Sequence, residues 1–361
     1  MKIGVIGLVL GMGIGGCVIL MVGFVFLCFS SRKKRATEES ADTNPMFDEF
    51  NDVELEMDQI PRKFLYSELA RATRNFADRE KVGEGGFDGV YRGFIEDLKS
   101  YVAVKRISIE SSQGLKEYEA EVKIISRLRH RNLVQLIGWC HYEGQLLLVY
   151  KFIPNGSLDS HLYNGNSSLT WEVRYRIALA LASALFYLHE ESVRCVLHWN
   201  IKSSNVMLDS NFNAKLGDFG LARFVDHEKE LQTTSLRGTM SYMAPEYVIT
   251  GMASKRTEVY SFGIICLEIA CGRKLIDLKS VNMVDWVWQL YEEKKVTEAA
   301  DPKLCGNYDE KQMECLMIVG LWCAHPDYKM RPSIQRVIQV LNFEIPLPIF
   351  QSKTPVATNS T

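Results

Sequence analysis

Val82-Gly83-Glu84-Gly85-Gly86-Phe87-Asp88-Gly89-Val90-Tyr91 is a glycine-rich turn between two apolar runs, and Val102-Ala103-Val104-Lys105-Arg106-Ile107 follows it closely. Glycines let a backbone approach phosphate groups and aim N–H groups at them. A hairpin bulge explains the same turn equally well. From about 80 to 110 the chain alternates apolar and polar residues between glycines, which is the pattern of strands and hairpins. A helix is predicted over 114–128 and a further strand over 146–150. Past Asn155-Gly156 the period changes. Ile177, Leu181, Leu185 and Leu188 recur at i, i+4, i+8 and i+11, one buried stripe of a helix. Strands first and helices afterwards predict an α+β chain of two lobes with a cleft between them.

The rest of the composition narrows the classes. A formal net charge of −2 over 361 residues argues against a nucleic-acid binder, which needs a basic excess to meet phosphates. Nine cysteines are scattered with no CxxC pair, which reads as buried thiols in a reducing compartment rather than a disulfide framework.

Location is written in the first 35 residues. Ile3 to Phe29 carries no charged residue, long enough for the ~20 residues that cross a bilayer. Arg32-Lys33-Lys34-Arg35 follows and should stay cytoplasmic, leaving a short N-terminus outside. The apolar run is about twice the usual core of a cleaved signal peptide, which favours an anchor. Gly7, Gly11 and Gly15 share one face of that helix, a spacing that suits close helix pairing and equally fits the general abundance of glycine in membrane spans. Residues 36–60 hold nine acidic side chains and no basic one, a solvated linker. Ser67 is placed to cap a helix running through Phe76.

Further motifs occur in a fixed order: Lys105 in Val-Ala-Val-Lys, Glu121 in the next helix, His198 through Asn205, Asp218-Phe219-Gly220, and Ala244-Pro245-Glu246. This ordered set resembles the eukaryotic protein kinases, over roughly residues 76–343. Arg129 to Gly138 and Asn155-Gly156-Ser157-Leu158 resemble plant receptor-like kinases, most closely the legume-type (L-type) lectin receptor-like serine/threonine kinases. No stretch of these residues resembles the lectin ectodomain. The resemblance implies a two-lobed protein-kinase fold preceded by a single transmembrane helix. The expected divisions are a span over 1–31, a basic stop and acidic linker over 32–62, a small lobe over 63–152, a large lobe over 153–345 and a disordered tail over 346–361.

The resemblance also implies ATP and Mg²⁺ as cofactors. Lys105 would hold the α- and β-phosphates and pair with Glu121, while Asn205 and Asp218 would hold Mg²⁺. Val82, Gly83, Gly85, Val90 and Ala103 would enclose the nucleotide, with Tyr150 as gatekeeper and Phe152 and Ile153 in the hinge beside Lys151. Lys202 would touch the γ-phosphate, and Thr239 would sit beside a substrate serine or threonine. Glu246 and Arg331 would form a buried ion pair.

Departures from the family pattern concentrate in one loop. His-Arg-Asp becomes His198-Trp199-Asn200. The missing aspartate is the group that accepts the substrate hydroxyl's proton. An asparagine can orient that hydroxyl through its amide oxygen but cannot take the proton, and general-base contributions run at ~10²–10⁴-fold. Trp199 offers no charge to a phosphorylated activation loop, so Thr233, Thr234 and Ser235 lose that means of ordering the segment. Asp88 takes the place of the third glycine of the loop and should weaken ATP binding. Glu258 replaces an aspartate that braces the catalytic loop, and its extra methylene is expected to disturb that geometry.

Two functions follow from these readings. One is a pseudokinase at the plasma membrane, single-pass with a cytoplasmic kinase domain. It would bind Mg-ATP and scaffold or modulate partner receptor kinases, with dimers forming through the Gly7/Gly11/Gly15 face. The other is a slow serine/threonine kinase acting on protein substrates, with Asn200 orienting the hydroxyl. A decaying duplicate of a full receptor is a third reading. If Trp199 and Glu258 also disturb orientation, Asn200→Asp alone restores only part of the activity.

Overall fold

A computed structural model describes residues 61–84, 88–107, 112–163, 169–226, 232–233, 237–275 and 282–350. The expected membrane span with Gly7, Gly11 and Gly15, the acidic linker, Gly85 and the Thr234-Ser235 hydroxyls lie outside these residues, as do the side chains of Asp88 and Thr233. Among the described residues no helix is long and apolar enough to cross a membrane.

The small lobe is a six-stranded sheet in the order β1-β5-β6-β4-β3-β2. Its strands are β1 (Arg62–Lys63), β2 (Lys81–Glu84), β3 (Asp88–Ile95), β4 (Ser100–Ile107), β5 (Leu136–Tyr142) and β6 (Gln145–Lys151). All neighbours are antiparallel except β1 and β5. That parallel edge needs Gly138, where a Cβ would come within 2.0 Å of the Arg62 carbonyl oxygen and 2.5 Å of the Phe64 ring. Strand register sets up the cleft. Val90 lies opposite Lys105, and Ala103 lies opposite Tyr150.

Helix α1 (Tyr66–Ala72) is shorter than its sequence suggests, and Ser67 does not cap it. Leu65 is the extended residue before the first turn, with no side-chain cap. The helix stops because Arg74, Asn75 and Phe76 all have left-handed φ angles, between 54° and 56°, which an α-helix cannot accommodate. Thr73 closes the end instead, its hydroxyl donating to the Leu69 carbonyl at 2.8 Å. Helix α2 (Ser112–Ile125) buries Tyr118, Val122 and Ile125 in the main apolar core.

The large lobe contains α3 (Leu158–Tyr163), α4 (Trp171–Phe186), α5 (Pro245–Thr250), α6 (Lys255–Cys271), α7 (Met283–Glu292), α8 (Glu310–Cys323) and α9 (Ile334–Leu341). Ile177, Leu181, Leu185 and Leu188 are buried as one stripe of α4 and its continuation. Helix α6 is buried nearly all round, as a central helix should be. Its start is fixed by a capping box in which Ser254 and Thr257 exchange hydrogen bonds. Trp288 and Trp322 belong to the core. The seven cysteines among the described residues are free thiols, and only Cys305 is exposed.

The chain stays packed beyond residue 346, where composition suggests a disordered tail. Phe350 sits 5.1 Å from the Trp288 ring and 5.2 Å from Tyr291, because an aromatic groove is open to it there. Residues 351–361 lie outside the described set.

The expected ion pair braces α5 against the chain before α9. Arg331 gives Nη1 to Glu246 Oε1 at 2.7 Å and Nη2 to Oε2 at 2.8 Å, with its guanidinium wholly buried. Removing one partner of such a pair strands the other charge, at a cost of about 3–5 kcal/mol. Glu246→Ala should therefore lower unfolding stability by about that amount in chemical denaturation. A loss within error of zero would mean that Arg331 is satisfied by its carbonyl partners alone.

Candidate active site

Lys105, from the middle of β4, points its ammonium at two carboxylates from different parts of the chain. Nζ lies 3.2 Å from Glu121 Oε2 on α2 and 2.9 Å from Asp218 Oδ1. Glu121 is almost fully buried, and burial raises its pKa while Lys105 pulls it back down. Two more donors meet its Oε1, the Tyr150 hydroxyl and the Phe219 backbone N–H. Tyr150, expected only as a gatekeeper, thus also holds Glu121.

Two short strands bring the remaining groups together. After β7 (Cys195–Leu197), β8 (Val206–Leu208) pairs antiparallel with β9 (Ala214–Leu216), with Val206 opposite Leu216. The residues just outside this hairpin, Asn205 and Asp218, therefore meet. Asn205 Nδ2 donates to the Asn200 carbonyl at 2.8 Å and to Asp218 Oδ2 at 3.3 Å. Lys105 beside Asp218 holds its carboxyl down at about 2, so it is ionised throughout the physiological range. One carboxylate and one amide oxygen fit a Mg²⁺ ion that takes its other ligands from phosphates and water. Among the described residues no group of three or more His, Cys, Asp or Glu gathers that could hold a metal independently. Asn205 and Asp218 would hold the ion, which would supply charge neutralisation on the phosphates.

Asn200 lies at the centre of this cluster. Its Nδ2 donates to Asp218 Oδ2 at 2.9 Å, and its Oδ1 accepts from the Thr239 hydroxyl at 3.5 Å. Because Asp218 is an acceptor only, the amide nitrogen must face it. Lys202, part-buried, flanks the single turn Ser203–Asn205, and its charge adds to the pull on Asp218. In the nucleotide cleft Val82 is 53% exposed, while Gly83, Val90 and Ala103 are partly covered. Phe152 packs its ring 6.4 Å from Tyr101 and donates its N–H to the Tyr101 carbonyl, so the hinge through Ile153 is tied to β4.

Glu258 overturns one expectation. Its carboxylate reaches the catalytic loop without disturbing it, Oε1 accepting the backbone N–H groups of His198 and of Trp199, the latter at 2.7 Å. Oε2 takes the His189 ring at 2.7 Å. Helix α4 runs into a π-turn, Tyr187–Glu191, in which His189 is buried against Glu258. A basic residue at a helix end is ordinarily a solvated cation facing the helix dipole, whereas His189 is buried against Glu258. No sequence signal distinguishes the two roles, since a π-turn has no simple periodicity.

The loop carries strain where it matters. Trp199 has a φ of 60° and Asp218 of 66°, both left-handed without being glycine. The Trp199 ring joins two apolar clusters, one with Cys195, Leu197 and Val225 and one with Ala244, Tyr247 and Ala253. Gly238, at φ 114°, lies so close to the Trp199 carbonyl that a Cβ would approach its oxygen to 2.6 Å. A second buried carboxylate, also missed from sequence, sits beneath the segment. Glu268 accepts the Tyr242 hydroxyl at 2.8 and 3.0 Å, and Tyr242 in turn meets the Ser203 hydroxyl at 3.0 Å. Burial raises the Glu268 carboxyl from 4.5 to about 7.

Two outcomes test these contacts. Glu258→Ala leaves two loop N–H groups and His189 without their carboxylate and should cost about 3 kcal/mol or more in chemical denaturation. An unchanged midpoint would mean that the loop is held elsewhere. For Glu268, the folded chain binds the proton more tightly than the unfolded one, so stability is fullest below pH 4.5 and falls as pH rises to about 7. Relative to Glu268→Gln, the natural chain should lose about 3 kcal/mol across that window. Parallel stability–pH curves for the two proteins would exclude a raised carboxyl.

Comparison with known proteins agrees with this geometry. The protein kinase domain family matches residues 76–342. The chain is 53% identical to L-type lectin-domain containing receptor kinase IX.1 of Arabidopsis thaliana, over 98% of this chain and 55% of that protein. It is 50% identical to receptor kinase IX.2 of the same plant, over 98% of this chain and 54% of that one. It is 46% identical to L-type lectin-domain containing receptor kinase SIT2 of Oryza sativa subsp. japonica, over 84% and 46%. The chain spans about half the length of the curated relatives it matches. With Lys105, Glu121, Asn205 and Asp218 gathered in one cleft and this match across both lobes, the chain belongs to the protein kinase family, its kinase domain similar to those of L-type lectin receptor kinases.

Proposed function

We propose that this chain is a membrane-anchored, receptor-like member of the serine/threonine protein kinases that binds ATP with Mg²⁺ but transfers phosphate poorly. Its role is then that of a pseudokinase, a scaffold or modulator of partner receptor kinases at the plasma membrane. The observation that carries the reading is Asn200, whose amide lies where a proton acceptor is needed, with Nδ2 committed to Asp218. An amide has no basicity to offer a hydroxyl proton, while Lys105, Glu121, Asn205 and Asp218 lie within hydrogen-bonding reach of one another. The apolar run from Ile3 to Phe29 and the basic residues after it support the anchor, and the receptor kinases it resembles support the setting.

One observation favours a second reading, a slow serine/threonine kinase. Asn200 Oδ1 faces the Thr239 hydroxyl, and Glu258 holds the loop backbone, so a substrate hydroxyl could still be oriented for attack. Phosphoryl transfer depends chiefly on positioning and electrostatics.

Transfer of radiolabelled phosphate to the chain itself and to a generic protein substrate separates the readings. Asn200→Asp should raise the rate by about 10²-fold or more, the lower end of a general base's contribution. If the natural chain matches Asn200→Asp, the impaired reading fails and the slow-kinase reading gives way to an active enzyme.

A further inference from the structure

The surface between α2 and β5, remote from the ion network of the cleft, is basic. Arg131 is exposed, and its side chain makes no hydrogen bond or ion pair among the described residues. Lys215, half-buried on β9, donates to the Arg131 carbonyl at 2.6 Å and forms no ion pair there either. Arg127 stacks its guanidinium 6.0 Å from the Phe224 ring, again without a carboxylate among the described residues. His130 lies among them. Burial lowers its pKa, and Arg131 and Lys215 lower it further against the opposing charge of Glu191. Arg129 has a different task, donating to the Ile125 and Leu128 carbonyls at the end of α2.

Parallel pairing fixes the side from which the chain enters β1. Arg62 lies opposite Gly138 and Lys63 opposite Trp139, so the chain arrives at Arg62 from the end at which β5 begins. That end leads back to Arg131, seven residues before Gly138 and therefore at most ~25 Å from it. Asp52, Glu54, Glu56 and Asp58 precede Arg62 by four to ten positions, a reach of ~13–33 Å in extended chain. These four acids alternate with Val53, Leu55 and Met57, and in an extended backbone a period of two puts them on one face. They close a stretch, 36–60, that contains no basic residue.

We propose that the acidic segment 52–58 docks on the basic face at Arg131 and Lys215 of the same chain. Single exposed ion pairs contribute little, but the tether through β1 holds the segment at an effective concentration in the millimolar range. The docked segment braces the turn between α2, which carries Glu121, and β5. An anionic lipid surface would meet the same cations, but the direction of β1 and the alternating acids favour the chain's own segment. The inference rests on neither nucleotide binding nor phosphate transfer.

The test couples carboxylates to amines with a carbodiimide in the purified full chain, held in an uncharged detergent, and maps the products by mass spectrometry. Lys215 should join Asp52, Glu54, Glu56 or Asp58 of its own molecule, with no mixed products when isotope-labelled and unlabelled chains are combined. Arg131→Glu retains Lys215 and removes no internal contact, so its melting should stay cooperative. It should cut the product about threefold or more, as should 1 M salt, where the screening length falls to about 3 Å. An unchanged yield in Arg131→Glu overturns the proposal. Mixed-isotope products overturn it in favour of pairing between copies. If the product is absent and Lys215 is shielded from acetylation only in nanodiscs containing phosphatidylserine, a lipid surface is the partner and the proposal fails. Absence of the product with Lys215 equally acetylated in every setting overturns it too, leaving the face solvated.

Discussion

A single ammonium group, Lys105 Nζ, lies between two carboxylates, and the cleft is organised around it. Glu121 comes from α2 and Asp218 from the turn after β9, so the ion network spans strand, helix and loop. Burying Glu121 would be costly without a cation and hydrogen bonds to satisfy its oxygens. It receives both, from Lys105, from the Tyr150 hydroxyl and from the Phe219 N–H. Because each partner is held by a different element, moving any one exposes an uncompensated charge. The position of α2 and the inward placement of Phe219, which packs on His198 with ring centres 4.6 Å apart, follow from that constraint.

A second carboxylate does for the catalytic loop what Glu121 does for the lobe contact. Glu258, from the buried helix α6, accepts two consecutive backbone N–H groups of the loop and a buried histidine. The N–H groups of His198 and Trp199 converge on one oxygen, and the chain then turns left-handed at Trp199. The conformation is unfavourable for a bulky residue, by about 1–2 kcal/mol. The hydrogen bonds to a charged acceptor and the packing of the Trp199 ring in two apolar clusters offset that cost.

The division of the chain into a sheet and a helical lobe was legible from residue pattern, because period-2 and period-3.6 burial are local properties. Ordered motifs named Lys105, Glu121, Asn205 and Asp218 as one site, and the structure gathers them within hydrogen-bonding reach. What escaped was geometry made by irregular backbone. The end of α1 depends on three successive left-handed residues, which nothing in Arg74-Asn75-Phe76 announces. Glu258 meets His189 within a π-turn, which no periodicity in the sequence announces. Residue by residue, a longer side chain at 258 reads as a defect; in the structure its carboxylate reaches the loop backbone and a buried histidine together. Phe350 escaped for a similar reason, since the groove that receives it is formed by α7, far back in the chain.

These corrections change what the loss of an aspartate at position 200 means. Had Glu258 distorted the loop, Asn200 would be one fault among several, and its chemistry would be masked by poor orientation. The loop backbone is instead braced, Asn200's carbonyl is held by Asn205, and its side chain bridges Asp218 and Thr239. The departure at 200 is therefore chemical rather than architectural. It exchanges a proton acceptor for a donor while keeping length and position, and it removes one negative charge from the cluster that would face a nucleotide. Those two consequences act on different steps. The first bears on transfer, where a base assists the departing proton. The second bears on binding, where like charges oppose each other before any chemistry occurs.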